Sequence, residues 1–275
     1  MDSDWAEDAT RRAKSELIDA SMPTTARVWD YLNGGKDNFE ADRKAGRALA
    51  GAEPMTAPVS IPAVRAFRHR VLRFLVAEAG VRQFLDIGTG LPLVDNTHEV
   101  TQSIIPECRV VYVDNDPMVL SHARALMTSA PGGAIGHVDA DVRDPDAIVA
   151  GARATLDFSQ PVAILLLATL AFVEDAAEAT AVVSKLAAAA PCGSYVAIWH
   201  LASDFDPMLE GTVRRWNAIA TQRMRLRSRS QVADLVAGLE LVTPGLVPVT
   251  DWRPAPDDPC FEKSIPVYGL VARKP

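Results

Sequence analysis

Asp86, Gly88 and Gly90 stand at alternate positions in LDIGTGLPL, after the apolar start of that run, and Asp114 follows the second glycine by 24 residues. Glycines where a strand turns into a helix leave the backbone bare, so a ligand can come close to it. A carboxylate at the end of the next strand lies across that turn, where it can accept from both hydroxyls of a ribose. Thr89 and Asn115 belong to the same two corners. The expected ligand is a nucleoside gripped at its sugar by Asp114.

Which nucleoside is decided by what the turn lacks. A dinucleotide site needs glycine or alanine three residues after the second glycine, for helix packing and for a pyrophosphate on the helix N-terminus. Leu93 occupies that position, which counts against NAD and FAD. Asp-x-Gly-x-Gly fits instead the turn of enzymes that use S-adenosylmethionine (SAM), a ligand without phosphate whose positive charge suits a nearby acid. In DADVRD, Asp141 is placed to accept from an adenine amino group and the Val142 N–H to reach a ring nitrogen, with Asp139 competing for the acid's role. Leu170, Ala171 and Phe172, in LLATLAFVED, fall beside the expected sulfonium. Asn96, with Thr97 and His98, faces the methionine tail or caps the next helix. His200, ending a strand, is the candidate base, needed only where the nucleophile has a proton to lose. Trp199, Trp216 and Arg223 are candidates to line an acceptor pocket. His69, His98, His122, His137 and His200 show no tight ligand spacing, and no metal site is expected.

The elements that must position these groups alternate. FLDIG (84–88), VVYVD (110–114), AIGHVD (134–139), the apolar run 162–167 and SYVAIWH (194–200) read as strands. Between them, helices are expected over Asp116–Met127, with Asp116 as cap and Pro117 in the first turn, near Pro145–Leu156, and over about Asp175–Ala190. Val64, Phe67, Val71, Phe74 and Leu75 at helical spacing predict a helix started by Pro62 and leading into the first strand. After the fifth strand, helices over 205–224 and 230–239 and two closing strands, around 246–252 and 267–273, suggest an antiparallel edge. Repeated βα units with near-continuous apolar strands predict a parallel, Rossmann-like α/β sheet with its ligand at the carboxyl ends of the strands.

A chain of 275 residues, 48% hydrophobic, can bury one substantial core. The net charge of −7 opposes nucleic-acid binding, leaving RMRLRSR (223–229) as a solvated charge run. Cys108, Cys192 and Cys260 are too scattered for a disulfide framework or paired zinc ligands, which points to the cytoplasm. The acidic start MDSDWAEDATRRAK does not read as a secretory signal. The apolar run 162–173 is too short to span a membrane.

ARVWDYLNGGKDNFEADR (26–43), FLDIGTGLPLVDNTHEV (84–100), VVYVDNDPMVLSHARAL (110–126) and RSRSQVADLVAGLELVTPGLVPVTDWRP (227–254) together resemble the actinobacterial S-adenosyl methyltransferases first catalogued as a domain of unknown function. The resemblance implies a class I methyltransferase fold with SAM at the carboxyl edge of the sheet. It also implies that residues 1–58 form a lid over a SAM-binding domain of residues 59–275, which carries a helical insertion at about 203–226. In the lid, Gly34 and Gly35 would turn beside the ligand, while Tyr31, Asn33, Lys36, Asp37 and Asn38 fix the methionine tail. Pro92 departs from a third glycine common in methyltransferases, and strand four ends in ATLAF rather than the Asn-Pro-Pro-Tyr of amino-group methylation. The expected activity is methylation of a small molecule, with neither nucleic acid nor membrane as partner and a homo-oligomer left open. A SAM-binding regulator without turnover and an NAD-type oxidoreductase are the rival readings.

Overall fold

A computed structural model describes residues 18–50, 57–256, 258–259, 261 and 264–275. The acidic start and Cys260 lie outside the described residues. The sheet runs in the order β3-β2-β1-β4-β5-β8-β6, with β7 also paired to β8. Its strands are β1 (Gln83–Ile87), β2 (Arg109–Asp114), β3 (Ala134–Asp139), β4 (Ala163–Leu167), β5 (Tyr195–Leu201), β6 (Glu240–Leu241), β7 (Val247–Pro248) and β8 (Val267–Arg273). β1 to β5 are parallel, and β8 runs antiparallel to β5, β6 and β7. The class I order, with the chain reversing direction between β1 and β4, opens a crevice there at the carboxyl ends of the strands.

Period-2 alternation sends the strands' apolar residues to two cores. Leu85, Ile87, Val113, Ile164 and Ile198 pack on one face. Phe84, Val110, Leu165, Ala197 and Trp199 pack on the other. The helices that cover these faces are α1 (Thr25–Leu32), α2 (Glu40–Ala50), α3 (Ala57–Arg73), α4 (Thr97–Ile104), α5 (Pro117–Leu126), α6 (Pro145–Ala152), α7 (Ala176–Ala189), α8 (Met208–Asn217) and α9 (Arg229–Asp234). Asp116, Asp144 and Asp175 cap α5, α6 and α7, accepting from Met118 N, Ala147 N and Glu178 N at 2.8–3.0 Å. Asp116 is thus a cap, as its place before Pro117 suggested.

Several boundaries differ from the sequence reading. Pro62 lies inside α3, which begins a full turn earlier at Ala57, and forfeits one intrahelical bond there. The helix expected over 205–224 stops at Asn217, because side chains there capture backbone: Asn217 exchanges hydrogen bonds with Met224 N and O at 2.7 and 2.9 Å, and Trp216 Nε1 donates to Gln222 O at 2.8 Å. Past Asp234 the second helix loosens into turns that close at Gly238, φ +87°. The strand expected over 246–252 shrinks to two residues followed by a 3-10 turn at Val249–Asp251. Among the described residues, no helix is long and apolar enough to cross a membrane.

Candidate functional site

A cavity of about 530 Å3 lies over the carboxyl ends of β1, β2 and β4 and is roofed by α1. That volume lies within the roughly 300–1,000 Å3 of small-molecule sites. Asp114, 9% exposed, lines it. Its Oδ2 accepts from Gly90 N and its Oδ1 from Asp116 N, both at 3.0 Å, so the carboxylate is fixed in place with lone pairs left for a ligand. Burial pushes its pKa up to about 6, against those two backbone amides, which lower it.

The glycine turn is shaped from both sides. Gly88, φ +72°, is closed in, since a Cβ there would meet Thr169 Oγ1 at 2.3 Å. Gly90, φ +69°, has nothing within 4 Å where its Cβ would be, and it lines the cavity with its backbone bare. Thr89 lines it as well. Asp86 lies deeper, 6% exposed, and accepts from Thr97 Oγ1 at 2.6 Å. Burial raises its pKa, partly offset by that hydrogen bond and by the charge of Arg68.

Arg65 and Arg68 were not expected here. Both project from α3 into the cavity wall, where they bond the carbonyls of Val94 and Asp95. Arg68 Nε is buried without a partner among the described residues. An orphaned guanidinium N–H beside the Asp86 carboxylate suits a zwitterion: the cation can hold a carboxylate and the acid an ammonium. The only signal in the sequence is that the two cations stand three apart, beside the apolar stripe of Val64, Phe67 and Val71.

At the far corner, Asn115, Asp141 and Val142 line the cavity. Asp141 Oδ2 accepts from Asn115 Nδ2 at 2.8 Å and Oδ1 from Arg143 N at 2.8 Å, so part of its capacity is used within the chain. Asp139 does not line the cavity. Asn96 does not either: it grips Leu93 through both backbone groups, at 2.7 and 3.1 Å, and its N–H donates to Glu99 at 2.6 Å, so it shapes the turn from behind. Leu170 is wholly buried in the core, and Ala168, Thr169 and Phe172 line the cavity in its stead.

The leader places its detail elsewhere than expected. Tyr31, Gly34, Gly35, Lys36, Asp37 and Asn38 do not line the cavity. Gly34, φ +81°, ends α1: its N–H bonds Tyr31 O at 3.0 Å and that of Gly35 bonds Asp30 O at 2.9 Å, a Schellman pair. Gly35 must lack a Cβ, which would sit 1.9 Å from Asp30 Oδ1. Asn38 Nδ2 donates to Asp30 Oδ2 at 2.7 Å, Asp37 lies 3.6 Å from His122 Nε2, and the Tyr31 ring covers Gly46 of α2. What this turn holds in position is Asp30. On α1 the cavity is lined by Thr25, Ala26, Arg27, Trp29 and Asp30, and by Asn33 just past its end, with Thr25, Trp29 and Asn33 one helical turn apart. A buried ion pair, Arg27 Nε to Asp42 Oδ2 at 2.9 Å, ties α1 to α2.

His200 is excluded as a base. It is wholly buried and off the cavity, Nδ1 lies 2.9 Å from Leu201 O, and Nε2 lies 2.7 Å from Arg227 Nη1. Since a guanidinium only donates, Nε2 must accept and its lone pair is engaged. Burial lowers the His200 pKa to about 4. Of the other acceptor-pocket candidates, Trp199 lines the cavity, edge-to-face with Trp29 at 6.1 Å. Trp216 is packed in the core, and Arg223 is exposed near Glu174. Among the described residues no cluster of His, Cys, Asp or Glu could hold a metal ion.

Residues 11–275 match the S-adenosyl methyltransferase family. A crystal structure of a DUF574 family protein from Streptomyces avermitilis MA-4680 is 40% identical, with a TM-score of 0.88 over 94% of this chain and 99% of that one. A candidate methyltransferase from Thermobifida fusca YX is 39% identical, with a TM-score of 0.83 over 92% and 96%. No curated protein matches the chain. With a bare glycine turn, a strand-end carboxylate and a guanidinium whose buried Nε has no partner among the described residues around one cavity, the residues present fit SAM, and the chain belongs to the S-adenosyl methyltransferase family, whose methyl donor is SAM.

Proposed function

We propose that the protein methylates a small molecule that enters the cavity beneath α1, in the cytoplasm, with the amino-terminal segment (1–58) as the cover. The observation that carries this reading is the cover: Thr25, Trp29 and Asp30 of α1 line the cavity together with the sheet crest, an arrangement that suits a compact acceptor. SAM supplies, when bound, a methyl group on a sulfonium whose departure needs no acid. The chain's own part is to hold and to exclude. Asp114 takes the ribose, Asp141 and Val142 the adenine, Arg68 and Asp86 the two ends of the amino-acid tail. Trp29, Trp199 and Phe172 keep water from the reacting end, and alignment of that kind can lower a barrier by roughly 7–11 kcal/mol.

Calorimetry with S-adenosylhomocysteine (SAH) and NAD, followed by SAH release from SAM on adding fractionated small molecules, tests the reading. Micromolar SAH binding and acceptor-dependent release are expected; NAD binding without SAH binding would overturn it.

Two further outcomes follow from the site. Replacing Arg68 with methionine should weaken SAH about 10- to 100-fold, the value of a lost charge-assisted hydrogen bond, and leave 5′-methylthioadenosine, which has no amino-acid tail, unaffected. Equal losses for both ligands would place Arg68 outside the tail site. SAH affinity should also decline as pH drops below about 6, where Asp114 takes up a proton, approaching a tenfold loss per pH unit. The unliganded protein responds to Asp114 with the opposite sign. A carboxyl raised from 3.8 to about 6 stabilises the fold below pH 3.8 and loses that contribution as pH rises through 6.

A further inference from the structure

The cavity face of α1 ends in two side-chain acceptors, an amide oxygen without a donor among the described residues and a carboxylate with one. Asn33 Nδ2 donates to Trp29 O at 2.7 Å, which fixes the amide's orientation, and Asn33 Oδ1 is then buried without a partner among the described residues. Asp30, one helical step away on the same face, is 4% exposed. Its carboxylate accepts from Asn38 Nδ2, and among the described residues no cation lies within ion-pair distance of it. A buried carboxylate without a counter-charge is costly, and so is an orphaned amide oxygen. Both costs vanish if a ligand brings a positively charged donor. Beside them stand the edge-to-face indoles of Trp29 and Trp199, which offer flat apolar surface and π-faces to a cation.

We propose that Asp30 and Asn33 form an ammonium seat, and that the ammonium belongs to the methyl acceptor, a small aryl-bearing amine whose ring lies against Trp29 and Trp199. The inference rests on the proposed methyl transfer to a small molecule. The donor carries an ammonium too, but on the same carbon as its carboxylate. If Arg68 holds that carboxylate, Asp86, whose carboxylate feels the Arg68 charge, is the acid at hand for that ammonium, and neither Arg65 nor Arg68 is paired with Asp30. Asp30 is therefore left for a second molecule.

The test is binding of matched pairs to the SAH-saturated protein by calorimetry: benzylamine against benzyl alcohol, phenethylamine against phenethyl alcohol, tryptamine against tryptophol. At least one amine should bind about tenfold or more tightly than its alcohol, the scale of a charge-assisted contact. Asp30→Asn should erase that difference while SAH affinity stays within about twofold. Asn33→Ala, which leaves the Asp30 turn intact, should reduce it in the same direction and covers the case in which the Asp30 variant does not fold. Equal binding of amine and alcohol in every pair overturns the proposal. So does a loss of SAH affinity that matches the loss of amine affinity, since the seat would then serve the donor. Failure of the unsubstituted protein to bind SAH would instead strike at the methyl-transfer reading beneath it.

Discussion

Asp114→Asn should weaken SAH binding by about 10²- to 10³-fold, or roughly 3–4 kcal/mol, with the fold retained. Two contributions reach that size together. The ribose loses hydrogen bonds to a charged acceptor, each worth roughly 1.5–3 kcal/mol where the acceptor is desolvated. The amide also carries a donor where the carboxylate had only acceptors. Because Oδ2 receives Gly90 N–H and Oδ1 receives Asp116 N–H, either orientation of the asparagine points an NH2 at a backbone N–H, and the glycine turn or the start of α5 must shift. Calorimetry with SAH and a thermal melt of the unliganded protein separate the outcomes. A variant that binds SAH within threefold of the parent would remove Asp114 from the sugar site and take the assignment of the whole crest with it. Relief of a buried carboxylate's own cost works the other way on stability, so the melting temperature should move far less than the affinity.

Asp114 was readable in advance because everything that places it is local. A continuous apolar run, VVYV, fixes the end of its own strand, and a cap with proline behind it fixes where the next helix begins. The leader was harder, since DYLNGGKDNF shows which residues are polar but not which way they face. The glycines close the end of α1, and the side chains after them fold back onto Asp30 and α5, so the cavity-lining set lies upstream, at the spacing of Thr25, Trp29 and Asn33. The same geometry could have separated two candidates at the end of β5. Neighbours on a strand point to opposite faces, so Trp199 and His200 could not both look toward one pocket. Arg65 and Arg68 stayed hidden because a cation on a helix usually faces solvent. Only the tertiary placement of α3 against the loop after β1 turns them inward.

Arg227→Met should cost about 3–5 kcal/mol of folding stability, lowering the melting temperature by roughly 10 °C, although Arg227 touches no part of the expected ligand. The guanidinium is wholly buried and has no carboxylate partner among the described residues. It donates to Leu170 O, Val173 O and His200 Nε2 at 2.6–2.7 Å, joining the 3-10 turn after β4 to β5. Removing it orphans the Val173 carbonyl and an imidazole nitrogen in the core, each a penalty of roughly 1–3 kcal/mol, and leaves Leu170 O with only the long bond from Val173 N at 3.3 Å. The desolvated charge, felt as an Arg227 pKa lowered to about 10 by burial, and the unpartnered Nε offset part of this. The pH dependence identifies the cause. His200, depressed from 6.5 to about 4, contributes stability at neutral pH that is lost as pH falls through that window, because the unfolded chain takes the proton first. Without the neighbouring guanidinium, an imidazolium can form and donate toward the freed Leu170 carbonyl. Urea unfolding at pH 8 and pH 5 should therefore show a smaller deficit for the variant in acid than in base. A deficit equal at both pH values, or a melting point within about 3 °C of the parent, would mean that Arg227 merely fills space between the turn after β4 and the end of β5.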